Sequence, residues 1–157
     1  MAATVLRLDD FIPYQLSIAS NAVSERIARH YERRFGINVP QWRLMAVLGE
    51  GGPRSQRDLV GRTRMDKVTV SRASAAMVAR GLMRRENREG DRRSHLIALT
   101  EEGEALYRDI APIALSLEAE LISCLEPAER EALTSTLERL TAAADVLEEQ
   151  IRKRGVE

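Results

Sequence analysis

Apolar residues recur at helical spacing along most of the chain and at strand spacing in one short stretch. From about Asp10 to Phe35 the positions Ile12, Leu16, Ala19, Val23, Ile27 and Tyr31 fall three or four apart, the period of an amphipathic helix. Asp9 or Asp10 is placed to cap it, Pro13 falls in the tolerant first turn, and Gly36 is a natural stop. The run "NVPQWRLMAVLGEGGP" predicts a short second helix from Pro40 to about Leu48, ended by glycines and Pro53. Ser55 with Asp58 three residues on makes a capping-box variant for a third, and Asp66 caps a fourth over 67–80, before Gly81. Two short helices joined by the glycine-free "TRM" are a helix-turn-helix candidate.

Period two replaces the helical period in "LMRREN" and "SHLIALT", which predict two short strands around the loop "REGDRR". In the second strand Leu96 and Ala98 alternate with Ile97 and Leu99. Thr100 then caps a long helix to about Leu125, with Glu101 and Glu102 suited to the positive end of its dipole. Pro127 opens the last helix, reaching about Arg152. Its positions Leu133, Leu137, Leu140, Ala144, Leu147 and Ile151 form a heptad seam that needs a partner helix, from this chain or another. The expected fold is mainly α with a small β-hairpin.

On a helical wheel the segment 67–80 turns Val70, Ala73, Ser74 and Met77 toward a core. The outward side carries Val68, Arg72, Ala75 and Ala79, flanked by Thr69, Ser71 and Ala76. Few of these are bulky. A helix entering the major groove needs small residues for close approach and a few long or polar ones to read base edges. Arg72 suits bidentate contact with guanine, Thr69 and Ser71 suit bases or phosphate, and Val68 or Ala75 suits a thymine methyl. An ordinary alanine-rich surface helix is the other reading of the same wheel.

Charge sharpens the picture. The 157-residue chain has a formal net charge of zero, yet residues 51–100 carry a net of +7 and the remainder a net of −7. Such segregation is expected where one part of a fold faces a polyanion. Arg54, Arg57, Arg62, Arg64 and Lys67 surround the two short helices, where phosphates flank a groove-bound helix. In the hairpin, Arg93 is placed for an adjacent minor groove, Asp91 to brace its guanidinium, and Arg92 to take a phosphate. Alternatively the arginines only solubilise a polar turn.

Other chemistry is thinly represented. One cysteine, Cys124, and two histidines leave no cluster of metal-ligand spacing and no intramolecular disulfide. No catalytic triad, phosphate-binding glycine loop or paired carboxylates stand out, so neither an enzyme nor a cofactor is expected. No apolar run has membrane-spanning length and no signal-like segment opens the chain, so a cytoplasmic protein away from membranes is expected.

The run "SQRDLVGRTRMDKVTVSRASAAMVARGLMRRENREGDRRSHLIALTEEGEAL" resembles the winged helix-turn-helix core of the MarR family of bacterial transcription regulators. The specific parts are "DKVTVSR", "RGLMRRE" and "DRRSHLIALTEEG", the last matching a D-x-R…LT-x-x-G pattern; the likeness covers about residues 8–152. It implies one MarR-type domain over 1–157, with 8–36 and 100–154 as dimerisation helices and 37–99 as a winged-helix DNA-binding lobe. It further implies a homodimer on a pseudo-palindromic operator in double-stranded DNA, with recognition helices about one DNA turn (~34–36 Å) apart. By the family pattern Arg72 and its neighbours read the major groove and Arg93 enters the minor groove. Such proteins mostly repress until a small aromatic acid, phenolic or thioester effector releases them; a ligand-independent architectural protein is the alternative.

Two departures stand out. Ser74 occupies a usual core-leucine position, and the first helix lacks the cysteine of the oxidation-sensing branch, so Cys124 is expected to be an inert buried thiol. By the same resemblance an effector lies under the first two helices, which makes Ser17, Asn21, Ser24, His30, Trp42 and Arg43 its candidate contacts. Polar interface packing and an ordinary aromatic core are the competing roles for these residues.

Overall fold

The computed structural model describes residues 5–88 and 91–155, and of residues 87, 88 and 91–94 the backbone course alone. The element order is α1 (Ile12–Phe35), α2 (Val39–Gly51), β1 (Arg54–Ser55), α3 (Gln56–Thr63), α4 (Lys67–Ala79), β2 (Met83–Arg88), β3 (Asp91–Leu99), α5 (Glu101–Leu121) and α6 (Pro127–Arg154). The strands form an antiparallel sheet in the order β1-β3-β2. This is the mainly helical, hairpin-bearing fold that the periodicities predict.

Several boundaries differ from expectation for identifiable reasons. Asp9 and Asp10 do not cap α1: they sit in a 3-10 turn, Leu8–Asp10, and Phe11 is the uncapped N-terminal residue. α2 starts earlier because Asn38 and Gln41 make a reciprocal capping box, Asn38 Oδ1 accepting from the Gln41 amide at 3.0 Å and Gln41 Oε1 from the Asn38 amide at 3.1 Å. β1 was not expected at all. Its two residues pair with β3, Arg54 opposite Ile97 and Ser55 opposite Leu96, and two residues are too few for a period. Asp91, Arg92 and Arg93 begin β3 rather than lie in a loop.

The chain divides into two compact units, Met1–Leu115 and Ser116–Glu157. In the first, a continuous core joins Tyr31 of α1, Ile37 of the turn between α1 and α2, Leu44 and Met45 of α2, Leu59 of α3, Val70 and Met77 of α4, Met83 of β2, Ile97 and Leu99 of β3, and Ile110 of α5. Each fully buried side chain of this size contributes roughly 1.5–3 kcal/mol before entropy is counted. Only the C-terminal half of α1 joins this core. Of its expected apolar face Ile12, Leu16 and Val23 stay exposed, at 58%, 38% and 38%.

In the second unit, α6 has a capping box between Glu126 and Glu129 and contains no buried residue. Its heptad leucines Leu133, Leu137, Leu140 and Leu147 are 39–56% exposed. Cys124 is not the buried thiol expected. α5 ends at Leu121, residues 122–124 turn as a 3-10 helix ahead of Pro127, and the exposed thiol donates to the Leu121 carbonyl at 3.3 Å.

Candidate nucleic-acid interface

α3 and α4 are held by caps read directly from their sequence. Ser55 Oγ accepts from the Asp58 amide at 3.1 Å and donates to Asp58 Oδ2 at 2.7 Å. Asp66 Oδ1 accepts from the Thr69 amide at 2.8 Å. Both carboxyls titrate below the ordinary 3.8: Asp58 first through its hydrogen bond from Ser55, with Arg54 and Arg57 adding to the effect, and Asp66 first through its bonds from Thr69. The turn between the helices closes without glycine because Arg64 takes a left-handed conformation, φ 56°. Its amide donates to the Val60 carbonyl at 3.0 Å.

The two faces of α4 divide as the wheel predicts. Val70, Ala73, Ser74 and Met77 are buried; Lys67, Val68, Ser71, Arg72, Ala75 and Ala79 are exposed. Ser74 is tolerated in the core because its hydroxyl donates back to the Ser71 carbonyl at 3.1 Å. Thr69 is committed to the cap. Its Oγ1 donates to Asp66 Oδ2 at 2.5 Å, leaving only lone pairs, which suit a base amino group and not a phosphate.

Beside α3 lies an open depression of about 520 Å³ lined by Arg54, Arg57, Asp58, Gly61 and Arg62. Its three guanidinium groups outweigh one carboxylate, an arrangement suited to a phosphate. β1 fixes Arg54 against β3, and Arg54 Nε is shielded from solvent with no hydrogen-bond partner. The side chains of Asp91, Arg92 and Arg93 lie outside the described residues, so the expected brace is known only by its place at the start of β3. At the base of the hairpin Arg84 donates to the Leu99 carbonyl and, through Nε, to Glu86 Oε1 at 2.8 Å.

The expected cap of α5 by Thr100 is present, and further contacts that have no signature in the sequence position this lobe with it. Thr100 Oγ1 donates to the Gly81 carbonyl at 2.6 Å and accepts from the Gly103 amide at 3.1 Å. A Cβ on Gly103 would sit 2.0 Å from the Leu82 carbonyl oxygen, so only glycine lets α5 pack on the turn after α4. The LT-x-x-G spacing therefore records one joint: a capping threonine and the glycine beneath it. Arg80, the C-cap of α4, donates to the carbonyls of Gly36 at 2.7 Å and Phe35 at 2.9 Å, tying the last turn of α4 to the end of α1.

The candidate ligand contacts do not form one group. Trp42 is half-buried between Tyr31, at 5.6 Å between ring centroids, and Tyr107, stacked at 5.9 Å. Burial pushes the Tyr31 hydroxyl up to about 12, against a smaller opposing influence of Arg43. Ser17 and Asn21 are exposed, Ser24 is half-buried, and Arg43 is exposed. His30 stands apart from the aromatic stack, exposed on the arginine-bearing side of α1, its Nδ1 3.2 Å from the Arg26 carbonyl.

Among the described residues no helix is long and apolar enough to cross a membrane. The sequence profile of the MarR family matches residues 35–94. The transcriptional regulator HosA of Escherichia coli O127:H6 is 30% identical over 95 residues, which cover 60% of this chain and 70% of HosA. A MarR/EmrR family transcriptional regulator from Acinetobacter sp. ADP1 superposes with a TM-score of 0.83 at 26% identity, over 89% of this chain and 99% of that one. BpsR of Bordetella bronchiseptica, whose DNA binding is regulated by 6-hydroxynicotinic acid, superposes with a TM-score of 0.68 at 25% identity, over 81% of this chain and 98% of that one. The winged helix-turn-helix, the profile match and the HosA likeness agree: this chain belongs to the MarR family of DNA-binding transcriptional regulators.

Proposed function

We propose that this protein is a homodimeric, sequence-specific transcriptional repressor released from a pseudo-palindromic operator by a small aromatic acid or phenolic effector. The observation that carries the DNA-reading half is the outward face of α4. Arg72 stands on it among small exposed residues, above a core-facing side that is fully committed. Arg72 contacts a guanine, Val68 or Ala75 a thymine methyl, and Ser71 a base or phosphate. Arg54, Arg57 and Lys67 take phosphates, as does Arg92, while Arg93, braced by Asp91, enters the minor groove.

Dimerisation is supported by apolar surface that a single chain leaves uncovered, on α1 at Ile12, Leu16 and Val23 and on α6 along its leucine seam. These stripes lie in the segments 8–36 and 100–154 assigned to dimerisation, outside the DNA-binding lobe 37–99. For the effector, the Tyr31–Trp42–Tyr107 stack offers aromatic surface where α1, α2 and α5 meet, and an incoming ring would compete with Tyr107 for Trp42. The regulation of BpsR by 6-hydroxynicotinic acid makes that acid the first effector to try.

Selection of bound duplexes from a random pool tests this reading. The expected product is an inverted repeat with half-sites about one turn (~34–36 Å) apart, depleted when 6-hydroxynicotinate or another aromatic acid is added. Recovery without enrichment would favour a ligand-independent architectural protein instead.

A further inference from the structure

α1 carries a second charged feature that the DNA-binding reading leaves unused. Arg26, Arg29, His30 and Arg33 line a surface depression of about 300 Å³. Their spacing of three, four and seven residues puts them on one side of the helix. That side is distinct from the one where Ala28 and Tyr31 enter the core. Neutralisation within the chain is slight: Arg29 meets Glu25 at 3.7 Å, and no ion pair to Arg26 or Arg33 is found among the described residues.

We propose that this depression is a binding site for a soluble ligand bearing adjacent phosphoryl groups, of the pyrophosphate type. Guanidinium groups match phosphoryl oxygens in paired hydrogen bonds, and the three that line this one depression carry more positive charge than a monoanion neutralises. Arg26 and Arg33 are about 10 Å apart along the helix axis, a span that their long side chains close from both ends. The position argues against DNA as the occupant. Arg33 lies three residues before Gly36, whose carbonyl is held by Arg80 at the C-terminal end of α4. A recognition helix presents its N-terminal residues to the bases, so the arginine depression sits by the end of α4 remote from base reading.

The test is calorimetric titration of the full-length protein with inorganic pyrophosphate while saturating nonspecific duplex occupies the DNA-binding face. Expected are one site per chain and at least a tenfold weaker association in the double variant Arg26→Gln/Arg33→Gln, with Arg29→Gln intermediate. Glutamine keeps helix propensity, and an unchanged circular dichroism spectrum establishes that the variants fold. The salt dependence of DNA binding and the oligomeric state should match those of the parent protein. The proposal is overturned by absent or variant-independent binding of pyrophosphate. It is equally overturned if the double variant flattens the DNA salt slope, which makes DNA phosphate the occupant, or if it dissociates the oligomer, which makes an acidic face of a second copy the occupant.

Discussion

Arg80 and Gly36 are 44 residues apart in sequence, yet the Arg80 guanidinium donates to the Gly36 carbonyl at 2.7 Å while its second amino group reaches Phe35 at 2.9 Å. The last carbonyls of α1 lack intrahelical partners, and here Arg80 at the end of α4 supplies them. The contact joins a helix assigned to dimerisation with the helix assigned to DNA. Arg80→Ala should therefore lower the ratio of specific to nonspecific DNA affinity while leaving the salt slope unchanged, since no phosphate contact is lost. Binding isotherms at three salt concentrations check both quantities.

Gly103 is expected to be intolerant of the smallest side chain. A methyl group placed 2.0 Å from the Leu82 carbonyl oxygen must displace α5 or the turn before β2. Gly103→Ala should destabilise the protein by about 1–3 kcal/mol, read from denaturant midpoints. An unchanged midpoint would mean that α5 and this turn move apart freely.

Arg64 places strain in the helix-turn-helix. A non-glycine residue in the left-handed region costs roughly 1 kcal/mol or more, and Arg64 has φ 56°. Arg64→Gly should hold or raise thermal stability. If Arg64 touches phosphate, it should also reduce the salt slope of DNA binding by about one.

Acid acts on the same lobe through its caps. Asp58 and Asp66 titrate below 3.8 in the fold, so their stabilisation is fully present above that value and is lost as pH falls through their lower folded values. The melting temperature gap between the parent protein and Asp66→Ala should be wide at neutral pH and close below pH 3.8. At the alkaline end the sign reverses. Tyr31, raised to about 12 by burial, favours the fold below its ordinary 10.0, and that contribution disappears as pH climbs between the two values.

How far sequence reached depended on the range of the interaction. The buried side of α4 was legible because Val70, Ala73, Ser74 and Met77 obey a local period, and the caps of α3 and α4 because a cap spans three residues. β1, too short for any period, exists only through its pairing with β3. The bond from Arg80 to Gly36 has no local signature. Nor does the Tyr31–Trp42–Tyr107 stack, assembled from three helices: the candidate effector contacts rest on the family resemblance, which does not single out Tyr31 or Tyr107 and does not reveal that His30 lines a depression with Arg26, Arg29 and Arg33. The asparagine and glutamine that cap α2 were readable and show that the helix start lay one motif earlier than Pro40.

The most direct test of base reading by α4 compares Arg72→Ala with Arg57→Ala in salt-controlled titrations against the selected operator and its single-base variants. Loss of Arg72 should cost about 1–3 kcal/mol and erase discrimination at one position in each half-site, whereas loss of Arg57 should weaken every sequence alike and lower the salt slope by about one. Equal weakening of all sequences by Arg72→Ala, with discrimination intact at every position, would contradict a base-reading role for the exposed face of α4.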